Sequence, residues 1–417
     1  MQAVQDDSTH LRQPNTIQEL GLPFGLVLDL VLKHAFFEGT TTLSRLAERS
    51  RLSPSIIHTM YRHMHREQLF DARAMVDNDY EISLNSRGRA LAEVAIRKSQ
   101  YAGPAPVPLA AYRTIVSRQA LKMDLTAADL RRELADLVIS EEAIKELGTA
   151  LVTGGAILLY GSTGNGKTSI AERLPRLFKD RIYIPYAVEV AGEIVTVFDP
   201  LLHRSSEEEN ATEEAGDPRW VWCHRPMVKV GGEMRVDSLD TRLDEVTRLC
   251  NAPLQMKANN GILLIDDLGR QGITPRQLLN RWIVPLDRRV DILSLWSGIS
   301  FEIPFEVLVV FATNLELSDL AEDAFMRRLR NKIKVDAVSE DLFRAIVQRV
   351  CQKAGIPCPP GMDDYLLREC LRLSGTLRAC FPQDLVEIVR GTAAFEQRSP
   401  VLGQTDIAQA LKVYFVH

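Results

Sequence analysis

The chain has 417 residues, of which 46% are hydrophobic and 25% charged, and its net charge is −5. At roughly 100–200 residues per domain this length gives two to four domains; the mildly negative charge removes any whole-molecule case for nucleic-acid binding but leaves room for a local basic face. No run of about eighteen apolar residues is present and the N-terminus lacks an apolar signal-peptide stretch, so a cytoplasmic chain without a membrane span is expected.

Residues 1–20 are polar and are predicted to form a mobile tail. Residues 21–100 follow with a compact pattern. A helical periodicity runs from Leu22 to Phe37 and breaks at Gly39 and the threonines after it, where Thr41 or Thr42 can cap a second helix, LSRLAERS. A third helix covers residues 53–70, with Ser53 as N-cap and Pro54 in its first turn. Two strand-like runs flank an Asp77-Asn78-Asp79 turn, and SRGRALAEVAIRKSQ reads as a closing helix. Three helices followed by a hairpin is the order of a winged helix-turn-helix.

YAGPAPVPL, residues 101–109, carries three prolines and reads as an extended boundary segment. With the helical stretch after it, it makes a linker over 101–137. From 138 to 336 apolar strand-like runs (AILLY, GILLIDD, VLVVFATN) alternate with helical ones, the rhythm of an α/β domain with a helix-covered parallel sheet. Residues 337–417 read as helices only and are expected to form a helical lid. The six cysteines (Cys223, Cys250, Cys351, Cys358, Cys370 and Cys380) show no CxxC and no zinc spacing, so reduced, mostly buried thiols are expected.

The first chemical signal is Gly161-Ser162-Thr163-Gly164-Asn165-Gly166-Lys167-Thr168, between the strand AILLY and a helix over SIAERLPRLF. This is a phosphate-binding P-loop. Its glycines let backbone N–H groups curl around phosphate oxygens, the helix N-terminus adds positive partial charge, Lys167 reaches the outer phosphates and Thr168 ligates Mg²⁺. Asp266 and Asp267 end the buried run GILLI. Asp266 is placed to hold Mg²⁺ and Asp267 to orient or deprotonate an attacking water. Aspartate at the second position is one methylene shorter than the commoner glutamate, so slow hydrolysis is expected. Asn314 ends a third buried strand and is placed to position the same water, since ligands of open parallel sheets collect at strand C-termini.

These motifs in this order resemble the AAA+ superfamily of P-loop ATPases, over about 140–417. The resemblance implies an ATP- and Mg²⁺-dependent ATPase working as a homo-oligomer, most often a hexameric ring. DAFMRRLRNKI resembles the segment that carries the AAA+ arginine finger, and implies that Arg328, or Arg327 as the alternative, reaches the site of an adjacent subunit. A hairpin signal around Ser297-Gly298, just ahead of the third strand, and the lead-in QMKANNG resemble the branch that holds MoxR-like chaperones. The chain is also similar to a bacterial family of ATPases with possible chaperone activity. A sensor arginine is implied near the start of a late lid helix. Arg378 is the candidate; the competing slot, before Asp384, holds Gln383.

The stretch between Lys167 and Asp266 is long for this fold. It contains RIYIPYAVEVAGEIVTVFDP, an acidic segment (Ser206–Glu214) expected to be a disordered loop, and VKVGGEMRV, read either as a structural hairpin or as a hairpin projecting toward a pore. In the N-terminal unit the third helix shows Arg62, His63, His65 and Arg66, yet residues 22–98 hold 11 Lys/Arg against 9 Asp/Glu, and Asp71, Asp77, Asp79 and Glu81 on the candidate wing would repel phosphate. Histidines 58, 63 and 65 read as solvated positions rather than metal ligands. The expectation is a MoxR-like remodeller of an unidentified protein client, with a DNA-bound nucleotide switch acting through residues 21–100 as the alternative.

Overall fold

The computed structural model describes residues 11–76, 79–205, 216–320, 326 and 328–415. Asp77 and Asn78 of the expected turn, the acidic segment from Ser206 and Arg327 lie outside the described residues.

The N-terminal unit is built on four helices and a small sheet. Helix Phe24–Glu38 buries Val27, Leu30, Val31 and Ala35, spaced three and four apart along one stripe. It stops at Gly39, whose φ of +73° suits a residue without a Cβ. Of the two candidate caps for helix Leu43–Ser50 it is Thr42 whose side chain accepts from Arg45 N; Thr41 bonds Glu38 instead. Helix Pro54–Arg66 begins with proline in its first turn and buries Ile56, Ile57, Met60 and Met64. Ser53 occupies the cap position but makes no cap bond, and its buried Oγ has no partner. The hairpin Phe70–Val76 and Asp79–Leu84 pairs antiparallel, Thr40–Thr42 adds a third strand, and helix Ser86–Lys98 closes the unit.

Two expectations about the segments flanking this unit are corrected. The second half of the expected tail is ordered: Leu11 O accepts from Asp217 N, Thr16 caps the helix Ile17–Leu20, and Leu20 is buried because its apolar side chain joins the N-terminal core. The proline-rich stretch is extended but is no free linker. Tyr101 and Ala105 pack in the N-terminal core, Ala105 N donates to Ser50 O at 2.7 Å, and Val107–Pro108 pairs in parallel with Ala187–Val190.

The central sheet has five parallel strands, here β1 (Ile157–Tyr160), β2 (Met227–Val230), β3 (Ile262–Ile265), β4 (Leu308–Thr313) and β5 (Asn331–Lys334), in the order β2-β3-β4-β1-β5. Every residue of β3 and β4 is buried, because helices cover both faces of the sheet. Helix Pro275–Arg288 covers one face through Trp282, whose ring lies 6.1 Å from those of Phe305 and Phe311. The P-loop helix is shorter than expected, Lys167–Ala171, and gives way to a 3₁₀ turn at Leu174–Leu177, where Pro175 lacks the N–H that an α-helix would need.

VKVGGEMRV is neither a hairpin nor a projecting loop. Its first residues form β2, with Val228 and Val230 buried against β3, so the apolar alternation belongs to a sheet edge. The remaining insert folds beside the sheet. Arg181–Pro185 pairs with Trp220–His224, and Ala187–Val190 and Glu193–Thr196 make a hairpin that Cys250–Asn251 extends. A buried ion pair, Arg219 with Asp217 at 2.7 Å, also bonds Pro106 O and ties this insert to the proline-rich stretch. Val290–Ser294 and Ser300–Pro304 form the hairpin signalled around Gly298. Four helices, Glu340–Ala354, Met362–Ser374, Phe381–Phe395 and Gln404–Tyr414, share a C-terminal core of their own. Among the described residues no helix is long and apolar enough to cross a membrane.

Among the described residues Trp282 is the largest fully buried side chain, and its Nε1 has no hydrogen-bond partner. Trp282→Ala is expected to cost about 3–5 kcal/mol and Trp282→Phe clearly less, since it leaves a smaller cavity and gives up no hydrogen bond among the described residues. Thermal melting of the two variants measures the difference.

Candidate functional site

The turn between β1 and helix Lys167–Ala171 is held in a shape that only glycine tolerates at three places. Gly161, Gly164 and Gly166 have φ of +130°, +85° and +89°. A Cβ on Gly161 would sit 2.5 Å from Val335 O, and one on Gly164 would sit 2.6 Å from Cys380 Sγ. The loop is therefore clamped between the end of β5 and the C-terminal helical unit. Asn165, buried, braces it from inside: its Nδ2 donates to Ser162 Oγ at 2.8 Å and its Oδ1 accepts from Ala379 N at 3.2 Å. Ser162 Oγ in turn donates to Asp336 Oδ1 at 3.0 Å.

Lys167 is folded along the loop, its Nζ donating to the carbonyls of Gly161 and Ser162 at 2.8 Å each. Burial pushes its ammonium below the ordinary lysine value, and the carboxylates of Asp267, Asp266 and Asp336 pull it back up. Next to it, Thr168 Oγ1 donates to Asp266 Oδ1 at 2.9 Å, joining the helix to the tip of β3. Asp267 takes a left-handed φ of +50°, which Asp tolerates better than most residues, and half of its side chain is exposed. Asn314, just past β4, donates from Nδ2 to Asp267 Oδ1 at 3.3 Å. Thr313 Oγ1 bonds Leu268 O at 2.8 Å, so the tips of β3 and β4 are braced to each other.

The structure thus brings Gly161 to Thr168, Asp266, Asp267 and Asn314 to one place. Of the two lid positions, Arg378 lies in the segment that touches the loop, where Cys380 N donates to Gly164 O at 2.8 Å, whereas Gln383 is exposed on the next helix. Arg378 stacks over Phe381 at 5.8 Å, and its buried Nε has no partner among the described residues. Arg328 pairs with Asp287, at the end of helix Pro275–Arg288, at 2.7 Å. The cradle of positive-φ glycines, an ammonium aimed into it, a hydroxyl–carboxylate pair beside it and an orphaned guanidinium Nε together fit a metal-bound polyphosphate.

Two residues here were missed from sequence, Lys229 and Asp336. Lys229 Nζ lies 2.7 Å from Glu172 Oε1 and 3.3 Å from Asp266 Oδ2. The signal existed: in MVKV the lysine alternates with two valines, which places it on the face opposite them once the segment is read as a strand. Reading VKVGG as a hairpin hid it. Asp336, bonded to Ser162, carried no motif at all.

Comparison with known proteins adds the following. Residues 339–413 match a family described as a domain of unknown function (DUF8689). No curated protein matches the chain. Among solved structures it is similar to NtrX from Brucella abortus, at 16% identity over 68% of this chain and 59% of that one, with a TM-score of 0.41. It is similar to the same protein in complex with ADP, at 16% identity over 73% and 61% of the two chains and a TM-score of 0.38. A third likeness is to the RuvB Holliday junction branch migration motor of Thermotoga maritima, at 16% identity over 68% and 73%, with a TM-score of 0.39. The chain thus spans less than two thirds of the NtrX chain.

Gly164→Ala adds a Cβ against Cys380 Sγ at a φ that L-residues avoid. It is expected to part the C-terminal unit from the loop, read as faster amide exchange across residues 376–384, while exchange in β3 and β4 stays unchanged.

Proposed function

We propose that the chain is an ATP-hydrolysing AAA+ ATPase that assembles with copies of itself, as a hexameric ring, and remodels a protein partner. The observation that carries this reading is the paired contact of Thr168 with Asp266 at 2.9 Å and of Asn314 with Asp267 at 3.3 Å, which gathers the loop helix and two strand tips at one point. The strand order β2-β3-β4-β1-β5, followed by a helical lid, supports the AAA+ reading. The hairpin Val290–Pro304 ahead of β4 favours its MoxR-like branch, and the N-terminal order of helices and hairpin supports a winged helix-turn-helix.

In this reading the amides of residues 161–168 and the Lys167 ammonium hold the phosphates, Lys167 exchanging its bonds to Gly161 O and Ser162 O for phosphate oxygens. Mg²⁺, held by Thr168 and Asp266, would supply charge neutralisation at the phosphate oxygens. Asp267, steadied by Asn314, orients the attacking water, and its short side chain makes turnover slow. Arg378 adds a lid contact to the phosphates. The bonds Ala379 N to Asn165 and Cys380 N to Gly164 make the lid report on the loop. Arg328 serves the site of a neighbouring subunit; Arg327, the alternative, lies outside the described residues.

Purified protein is expected to release phosphate from MgATP. Asp267→Asn should abolish release while nucleotide still binds; equal loss of binding would sink the assignment of Asp267. Arg328→Ala should lower turnover by roughly a thousandfold. Mixing it with Lys167→Ala subunits, which keep the arginine, should restore part of the activity. No restoration in the mixture would place Arg328 outside a shared site.

A second reading, a DNA-bound nucleotide switch, is favoured by one observation: His58, Arg62, His65 and Arg66 are all exposed on helix Pro54–Arg66. Duplex binding that weakens steeply with salt, and weakens again in Arg62→Ala, is its expected result. Salt-independent or absent binding removes it.

A further inference from the structure

A cleft of about 650 Å³ runs between the N-terminal unit and the insert, and its lining includes no residue of the P-loop. Its volume falls in the range of small-molecule sites. Three separate parts of the chain wall it: helices Phe24–Glu38 and Ser86–Lys98, the insert strands around Glu193 and Cys250, and the tip of the hairpin ahead of β4 through Trp296. No role described so far uses these residues.

Its charges are arranged around a deficit of acids. Lys33 and Lys98 flank Asp29, whose carboxylate pairs with Lys98 at 3.2 Å. Lys33 is buried, and its one hydrogen bond among the described residues goes to Ser99 O at 3.1 Å, out of three donors. Burial holds its amine down at about 8, with Asp29 pulling it back up and Lys98 lowering it further, so an anion beside it would add to the part of that charge that Asp29 offsets. Arg248, exposed on the rim, has no side-chain partner among the described residues. It is held in a left-handed φ of +53° by a loop that closes through Arg248 N to Asp244 O and Asp244 N to Leu249 O. Strain of that kind is kept where surrounding structure enforces it. Trp296 offers an indole that is 71% exposed, an unusual solvent contact for so large an apolar ring.

We propose that this cleft is a binding site for a small planar anion, a ring bearing one phosphate or carboxylate. The ring lies against Trp296, and Lys33 and Arg248 meet the charge. Glu193 also lines the cleft and offers a carboxylate to a ring hydroxyl or amine. An occupant pins the hairpin tip to the N-terminal unit. Because that hairpin runs through Phe305 and Val307 into β4, the same occupant bears on Asn314. Lys33 also closes the carbonyl end of helix Ser86–Lys98, a purely structural duty; Arg248 and Trp296 stand on the rim, so the proposal is tested mainly through them.

Phenyl phosphate and benzoate are titrated into the full-length protein at constant ionic strength, with inorganic phosphate and phenol as half-probes, and tryptophan emission is followed. At least one ring-bearing anion should quench saturably, with half-saturation on the order of 1 mM for probes this small. Which of the two binds tells phosphate from carboxylate. The quench should vanish in Trp296→Phe, weaken about tenfold in Arg248→Ala and in Lys33→Met, and persist in Lys167→Ala, which separates it from binding at the P-loop. Failure of both ring-bearing anions to saturate, or a quench that survives Trp296→Phe or Arg248→Ala unchanged, overturns the proposal whether or not the protein hydrolyses ATP.

Discussion

Strands β3 and β4 are dry on both faces, and that constraint governs the rest of the site. A strand sealed between helices can offer polar chemistry only where it ends, and here the carboxyl ends of β3 and β4 carry Asp266, Asp267 and Asn314. The turn after β1 brings the loop 161–168 to the same edge, and one hydroxyl–carboxylate bond, Thr168 to Asp266, locks helix and strand together. Were β3 and β4 less completely buried, their tips would be free to slide against one another. The cross-brace from Thr313 to Leu268 would then no longer hold Asn314 within reach of Asp267.

A second consequence of the packing is that the P-loop belongs to two units at once. Gly161 is pressed on Val335 at the end of β5, while Gly164 and Asn165 bond the segment 379–380 that begins the third lid helix. The loop has little room to change shape without disturbing its contacts to residues 379–380. Contact of this sort joins the loop mechanically to the C-terminal helices, because packed interfaces resist gradual deformation.

Much of this was legible in the sequence, for definable reasons. The P-loop and the two strand tips stand out because fully buried strands read as unbroken apolar runs, ending abruptly in charge. The N-terminal helices follow from three-and-four spacing and from residues such as Thr42 and Pro54. What escaped was the edge strand β2. It is only four residues long, alternates because one of its faces is less completely covered, and runs into Gly231-Gly232, which looks like a turn. Reading it as a hairpin concealed Lys229 and made the insert look longer than it is. The proline-rich stretch misled for a related reason. Proline predicts extended backbone correctly but says nothing about whether a neighbouring strand will pair with it, and only the fold brings Ala187–Val190 alongside. Asp336 and the segment around Ala379 and Cys380 reach the loop across long sequence separations that no local pattern encodes.

The sheet's two open borders carry a consequence for how copies of the chain can meet. β2 on one side and β5 on the other are each four residues long, and β5 carries Lys332 and Lys334. Borders this short offer little length of ladder for another strand to extend. Copies of this chain are therefore steered away from continuing one another's sheet.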